Sequence, residues 1–262
     1  MVKGVRLLWL FVRLGVLHEL AYRTHLVVQL LASAMSLGAS LALLAAVFAH
    51  TDTVAGWSPP ELLAVLGVYY LLGGLLGTVV QPSLQRLMED VRHGTLDFTL
   101  LKPLDPQVLV SIGQVHIWKL VDAALGAGLL GVAMLQLGAG VGLWQAVAFG
   151  VALLAGCAIA YSTCLLLATL TFWFVRVDNA LLFFLTMWEA GRWPVALYPR
   201  WLQVTLTVLV PVAFATTVPA EILAGRLTPA ALGGAVAVAL ALAAGSRWCW
   251  MRGLRRYAGA SG

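Results

Sequence analysis

Twenty-four consecutive residues without a charge, LVVQLLASAMSLGASLALLAAVFA at 26–49, constrain this chain more than any other feature. A helix of about 20 apolar residues is ~30 Å long, the thickness of bilayer hydrocarbon. The run predicts a transmembrane helix. Further apolar segments near 61–81, 106–137, 144–171, 180–197 and 229–249 bring the expected number of spans to six. The second is expected to end at Pro82. The third is expected to start with Asp105 as cap and Pro106 in its first turn, and to run unbroken to Leu137. Only 10% of the residues are charged, against about 25% in soluble domains, and no polar block is long enough to form one. The expected fold is an all-α integral membrane protein, a single transmembrane domain over 1–262.

The N-terminal stretch 1–25 carries Lys3, Arg6 and Arg13 at roughly helical spacing, with Arg23 and His25 after them. Arg13 interrupts the apolar run and no small-x-small cleavage site follows, so it does not read as a signal peptide. It reads as an amphipathic helix in the membrane interface; a plain charged flank of the first span is the simpler reading. Lys and Arg set the orientation. With the N-terminus in the cytoplasm, twelve of the sixteen basic residues fall inside; Arg192, Arg200 and Arg226 fall outside, and Lys119 lies in a helix. Both termini are then cytoplasmic, and the basic excess is explained by topology rather than by nucleic acid. Most of the ten tryptophans lie near expected interfaces, as an aromatic belt does.

The longest polar stretch, MEDVRHGTLDFTLLKPLDPQ at 88–107, then lies in the cytoplasm within a loop spanning 83–105. Leu84, Leu87, Met88 and Val91 fall at i, i+3, i+4, i+7, one stripe of a helix that Gly94 can end. Arg86, Glu89, Asp90 and Arg92 take the other faces, and Asp97 and Lys102 follow. The stripe reads either as a helix resting on the bilayer or as a docking surface for a cytoplasmic partner.

Residues 198–226 are apolar but broken by Pro199, Pro211 and Pro219. Each proline interrupts helical hydrogen bonding, leaving pieces too short to span. A re-entrant pair of short helices entering from outside is expected; a seventh span kinked at Pro211 would move the C-terminal arginines outside.

Catalytic patterns are missing. The sequence has no G-x-x-x-x-G-K-[ST], no H-E-x-x-H and no G-x-S-x-G. Cys157, Cys164 and Cys249 have no metal-ligand spacing, and Ser162 and Cys164 read as packing residues. No cofactor is expected on this chain, and hydrolysis by it is not expected. Ionisable residues inside spans are the functional suspects, since burying a charge there costs ~2.5–3.5 kcal/mol. Lys119 and Asp122, at i and i+3, read as a self-neutralising pair or a substrate site. Glu189, three residues before Arg192, reads as an outer-rim pair or part of an exit path. Pro211, Phe214 and Pro219 complete the candidates for path or gate. Gly73 and Gly77, and the glycines between 126 and 131, are expected to allow close helix packing.

Three stretches, VRHGTLDFTLLKPLDPQ, FWFVR, and YPRWLQ followed by VPVAFATTVPAEILAG, resemble in order and spacing the permease subunits of type 2 ABC transporters, specifically bacterial exporter permeases. The resemblance implies a dimer with an identical or related permease, two P-loop ATPase subunits that carry ATP and Mg, and export across the bacterial cytoplasmic membrane. It implies that 83–102 is a coupling helix seated on the ATPase, with Leu84, Arg86, Leu87, Met88, Glu89, Asp90, Val91, Arg92, Gly94, Asp97 and Lys102 as coupling residues. Residues 199–224 correspond to an outer hairpin. Many such permeases carry an arginine there after a proline-aromatic motif; this chain has PAEI with Glu221 instead, so that arginine's functions do not transfer. The competing class is an ion-coupled secondary transporter, with Lys119 and Asp122 as its ionisable residues, although the halves show no clear inverted repeat.

Overall fold

A computed structural model describes residues 23–138, 142–174, 178–226 and 228–257. The expected interfacial helix lies almost wholly outside the described residues. The first long helix, α1, is Arg23–Phe48. The second, α2, is Pro59–Leu75; it passes through a π-helical turn, Leu76–Val80, directly into α3, Gln81–His93. The short helices α4, Asp97–Leu100, and α5, Pro106–Ser111, follow. A 3-10 turn at Ile117–Lys119 leads into α6, Leu120–Leu137. Helix α7 is Leu143–Thr169, and α8 is Asp178–Glu189, continued by 3-10 turns at Ala190–Arg192 and Val195–Leu197. Helix α9, Arg200–Val204, runs through a second π turn, Thr205–Leu209, to α10, Val212–Leu223. The last helix, α11, is Pro229–Arg256. No strand occurs among the described residues. Among the described residues five helices are long and apolar enough to cross a membrane, and the α9–α10 pair raises the number to six if it is one span. The protein is an all-α integral membrane protein.

The second span does not end at Pro82. The helix from Pro59 to His93 is continuous over 35 residues, or ~52 Å, so it outreaches the ~30 Å core by several turns. Pro82 has no N–H to give the carbonyl four residues earlier. That carbonyl, on Thr78, instead accepts the backbone N–H of His116 at 2.7 Å, and the π turn absorbs the extra backbone. The third segment shows the reciprocal change. It is broken between α5 and α6, and His116 in the break supplies the donor. Ser83 Oγ ties the same two pieces, donating to the Gln114 carbonyl at 2.8 Å and accepting its N–H at 3.0 Å.

Helices α2 and α6 pack backbone to backbone. A Cβ on Gly126 would stand 2.2 Å from the Leu71 nitrogen, and one on Gly74 would stand 2.2 Å from the Ala123 nitrogen. Gly128 and Gly131 have nothing within 4 Å. The expected glycine packing is therefore made by Gly67, Gly74 and Gly126. Gly73 and Gly77 instead face Trp188 and the Lys119 side chain.

Residues 198–226 fold as a hairpin whose two limbs, Arg200–Leu209 and Val212–Leu223, meet at 97°. Limbs of ~15 and ~18 Å at that angle reach only ~22 Å end to end, short of the bilayer core. A pair bent in this way fits both expectations, a re-entrant element and a span kinked at Pro211. Pro211 caps α10 at the bend, and Pro219 sits inside it. Pro219 withholds a donor from the Ala215 carbonyl; that carbonyl lies against Gly156 of α7, where a Cβ would come within 2.9 Å of it. The hairpin thus rests on α7.

Candidate functional site

Helices α1, α2, α8 and the start of α6 enclose a half-open cavity of about 320 Å³. It gathers Lys119, Asp122, Glu189 and Arg192, residues far apart in the chain. Lys119 Nζ lies 3.2 Å from Asp122 Oδ2. The other oxygen of Asp122 accepts a bond from Ser33, which in turn accepts from Gln29 at 3.1 Å. Tyr70 donates its hydroxyl to Ser36 at 3.0 Å, tying α1 to α2 as Ser33 ties it to α6. At the other end Arg192 lies over the Tyr69 ring, 5.2 Å from its centroid, and Tyr69 stacks on Trp188 at 6.2 Å. Tyr69 and Gly77 are eight residues apart on one helix, so the two charged groups are separated by ~12 Å along it. Gly73 and Gly77 form the wall between them. Of the candidate path residues, Pro211, Phe214 and Pro219 are not in this cavity: they belong to the hairpin, where Phe214 packs near Gly234 of α11.

The α3–α5 segment forms a second site. Leu84, Leu87 and Met88 are 0%, 1% and 5% exposed, and α3 packs by this face on α7, α5 and the 3-10 turn Leu170–Phe172. The apolar stripe, read from sequence either as resting on the bilayer or as a docking surface, is packed in the bundle core. Burying three large apolar side chains against neighbouring helices is worth several kcal/mol, about 1.5–3 each, so the stripe turns inward. Val91 is half-buried beside it, and Arg86, Glu89 and Arg92 face out. Gly94 ends the helix at φ 70°, with the Thr95 N–H reaching back to the Asp90 carbonyl at 2.8 Å. Thr95 Oγ1 also donates to Asp90 Oδ1 at 2.8 Å. Arg86, Asp90 and Lys102 border a small cleft of about 80 Å³ between α3, α4 and α5. Asp97 is half-buried at the start of α4.

The far end of this segment is clamped by α11. Arg247 donates to Asp105 Oδ2 at 2.6 Å and Oδ1 at 3.1 Å, and to Gln107 Oε1 at 2.7 Å. Asp105 also accepts the Gln107 N–H at 2.9 Å, capping α5 as expected. The Arg247 guanidinium, with that backbone donor, holds the Asp105 carboxyl below its usual range. No group of three His, Cys, Asp or Glu forms a metal site among the described residues.

Residues 34–261 match the sequence model of the ABC-2 family transporter proteins. The chain belongs to that family. It is a membrane permease of an ABC transporter, a transport component that is not itself catalytic, and the family implies an ATPase subunit as its partner. No curated protein and no solved structure matches the chain.

Two contacts of this ABC-2 permease lay beyond sequence reasoning. One is the Arg247–Asp105 clamp. The other joins the hairpin to the loop between α1 and α2. Arg226 donates to Glu61 at 2.8 Å and to the Gly56 carbonyl at 2.6 Å, and lies over the Trp57 ring at 5.1 Å. Glu61 is only 7% exposed and also accepts the Ser58 N–H at 2.7 Å. The S-x-x-E spacing at 58–61 signals a capping box, but no local signal could name a partner 165 residues away.

Proposed function

We propose that this permease is half of an ATP-driven exporter in a bacterial cytoplasmic membrane, working as a dimer with an identical or related permease and driven by two ATPase subunits that bind ATP and Mg. The termini and the α3–α5 segment face the cytoplasm, supported by the twelve basic residues on that side. The observation that carries the reading is the unbroken helix from Pro59 to His93. Its α2 portion walls the cavity, and its α3 portion offers a polar outer face. Force applied to that face tilts the cavity wall. It also reaches the Lys119–Asp122 pair through the His116–Thr78 hydrogen bond at the joint. ATP binding on the partner closes the ATPases, and the cavity opens past the hairpin.

Docking then depends on Arg86, Glu89 and Arg92 rather than on Leu87 or Met88. The test is the double charge reversal Arg86→Glu with Glu89→Lys. Co-purification of the ATPase and ATP turnover should fall while membrane insertion persists. Unchanged co-purification and turnover would refute the coupling role. Transport that continues without ATP and collapses with an uncoupler would replace this reading with ion coupling, using Lys119 and Asp122.

A further inference from the structure

We infer that the cavity between α1, α2, α6 and α8 holds the headgroup of a net-neutral, zwitterionic amphiphile, whose tail lies along the outer face of α1. The inference rests on the permease reading above and supplies its substrate class.

Charge balance is the first argument. The cavity is lined by two cations, Lys119 and Arg192, and two carboxylates, Asp122 and Glu189, so its formal charge is zero. A cargo with net charge would leave one charge uncompensated among membrane helices, which is costly. A cargo with one charge of each sign keeps the balance. The Lys119–Asp122 end is already occupied with itself and with Ser33. The other end has capacity left.

That capacity is visible as unmet donors. Among the described residues, neither Trp188 Nε1 nor Arg192 Nε has an acceptor, and both are closed off from water in this state. A buried unmet donor costs about 1–3 kcal/mol, which an incoming oxygen would relieve. Gly73 lets the α2 backbone pack close to the indole: a Cβ there would stand 3.1 Å from Trp188 Nε1. A phosphate oxygen suits these two N–H groups. Glu189, which lines the same end of the cavity, suits the ammonium.

Size and surroundings give the amphiphile. About 320 Å³ is at the small end of ligand pockets and takes a headgroup without its tail. Helix α1 turns Gln29, Ser33 and Ser36 into the cavity. Its adjacent stripe, Val28, Leu31 and Met35, is 64%, 60% and 74% exposed, an apolar track beginning at the cavity edge.

The test titrates the purified permease–ATPase complex in mild detergent with three probes of equal chain length: lysophosphatidylcholine, lysophosphatidylglycerol and an alkyltrimethylammonium. Binding is read by native mass spectrometry, and ATP turnover is measured on the same sample. Lysophosphatidylcholine should bind at least about tenfold more tightly than either charged probe, and more tightly than tail-less phosphocholine. Glu189→Gln gives the cavity a net positive charge and should move the preference toward lysophosphatidylglycerol. Trp188→Phe keeps the ring but removes the donor. It should weaken lysophosphatidylcholine about fivefold without lowering the thermal stability of the protein. Three probes binding within twofold of one another, or a preference unmoved in both variants, would overturn the inference; phosphocholine binding as tightly as the lysolipid would overturn its amphiphile part. A complex that turns over ATP but does not discriminate sinks this inference alone. Loss of the ATPase from the preparation sinks the coupling reading, and the titration is still decided on the permease that remains.

Discussion

Replacing Leu87 by alanine separates a core role for the α3 stripe from a docking role. Leu87 is 1% exposed and shares a cluster with Leu84, Met88, Leu96 and Trp250, drawn from α3, the turn before α4, and α11. Removing its three outer carbons forfeits the transfer energy and leaves a cavity in a tightly packed site. A buried leucine so truncated costs about 2–5 kcal/mol. Glu89, two residues on and on the outer face, is exposed, and Glu89→Ala should stay within about 0.5 kcal/mol. Denaturant titration in detergent, followed by the loss of monodisperse protein, measures both. The same samples are mixed with the partner ATPase. Leu87→Ala should be the unstable variant, and its surviving folded fraction should still bind the ATPase. Leu87→Asp should be worse still, since it adds a buried, unpaired carboxylate. A Leu87→Ala protein of wild-type stability that has lost the ATPase would put the stripe back on the docking surface and refute the reasoning from burial.

Gly126→Val should lower the folded yield sharply, because its Cβ falls 2.2 Å from the Leu71 nitrogen, whereas Gly128→Val, with nothing within 4 Å, should behave as wild type; fluorescence-detected gel filtration compares them. Arg226→Gln should cost more than Glu61→Gln, since the first strands a carboxylate only 7% exposed and the second removes it; with Arg226 partly in solvent the difference should be about 1 kcal/mol in the same denaturant titration. The Asp105 carboxyl is held below its usual value by Arg247, so the clamp contributes fully above about pH 4 and is lost as pH falls through the lowered folded-state value. Asp105→Asn should therefore flatten the acid limb of stability measured between about pH 5 and 2, and an acid limb unchanged in the variant would show that the clamp contributes nothing.

Local chemistry predicted local features well. The uncharged run at 26–49 became α1, Gly94 took the left-handed cap that ends α3, and the prolines of 198–226 divided that region into two short limbs bent at 97°. The failures share one cause: a backbone group released at one place was taken up by a residue distant in sequence. Pro82 reads as a helix stop because its own turn loses a hydrogen bond. The helix continues because His116, 34 positions on, supplies a donor to Thr78. The same displacement breaks the third segment, whose apolar run and Asp105–Pro106 start read as one helix. The stripe on α3 shows the corresponding limit for side chains. Its period fixed which residues share a face, but whether that face meets a partner or the bundle depended on α7 and α5.

The candidate site obeys the same division. Lys119, Asp122 and Glu189 stood out singly, because a charge within an apolar run is visible without a structure. Their grouping was not visible, since it requires α8 to lie against α2 and α6 to approach α2 at glycine contact. That approach makes the cavity mechanically dependent on the joint at Pro82. Gly74, on α2, touches Ala123 of α6 one residue from Asp122, and the Thr78 carbonyl one turn later holds His116 three residues before Lys119. The stretch 116–123 that carries the Lys119–Asp122 pair is therefore held at its start by Thr78 and at its end by Gly74. A straight helix with an ordinary residue at 82 would keep the Thr78 carbonyl for itself and lose this connection. The proline that looked like the end of a span is the place where the surface helix is tied to the cavity.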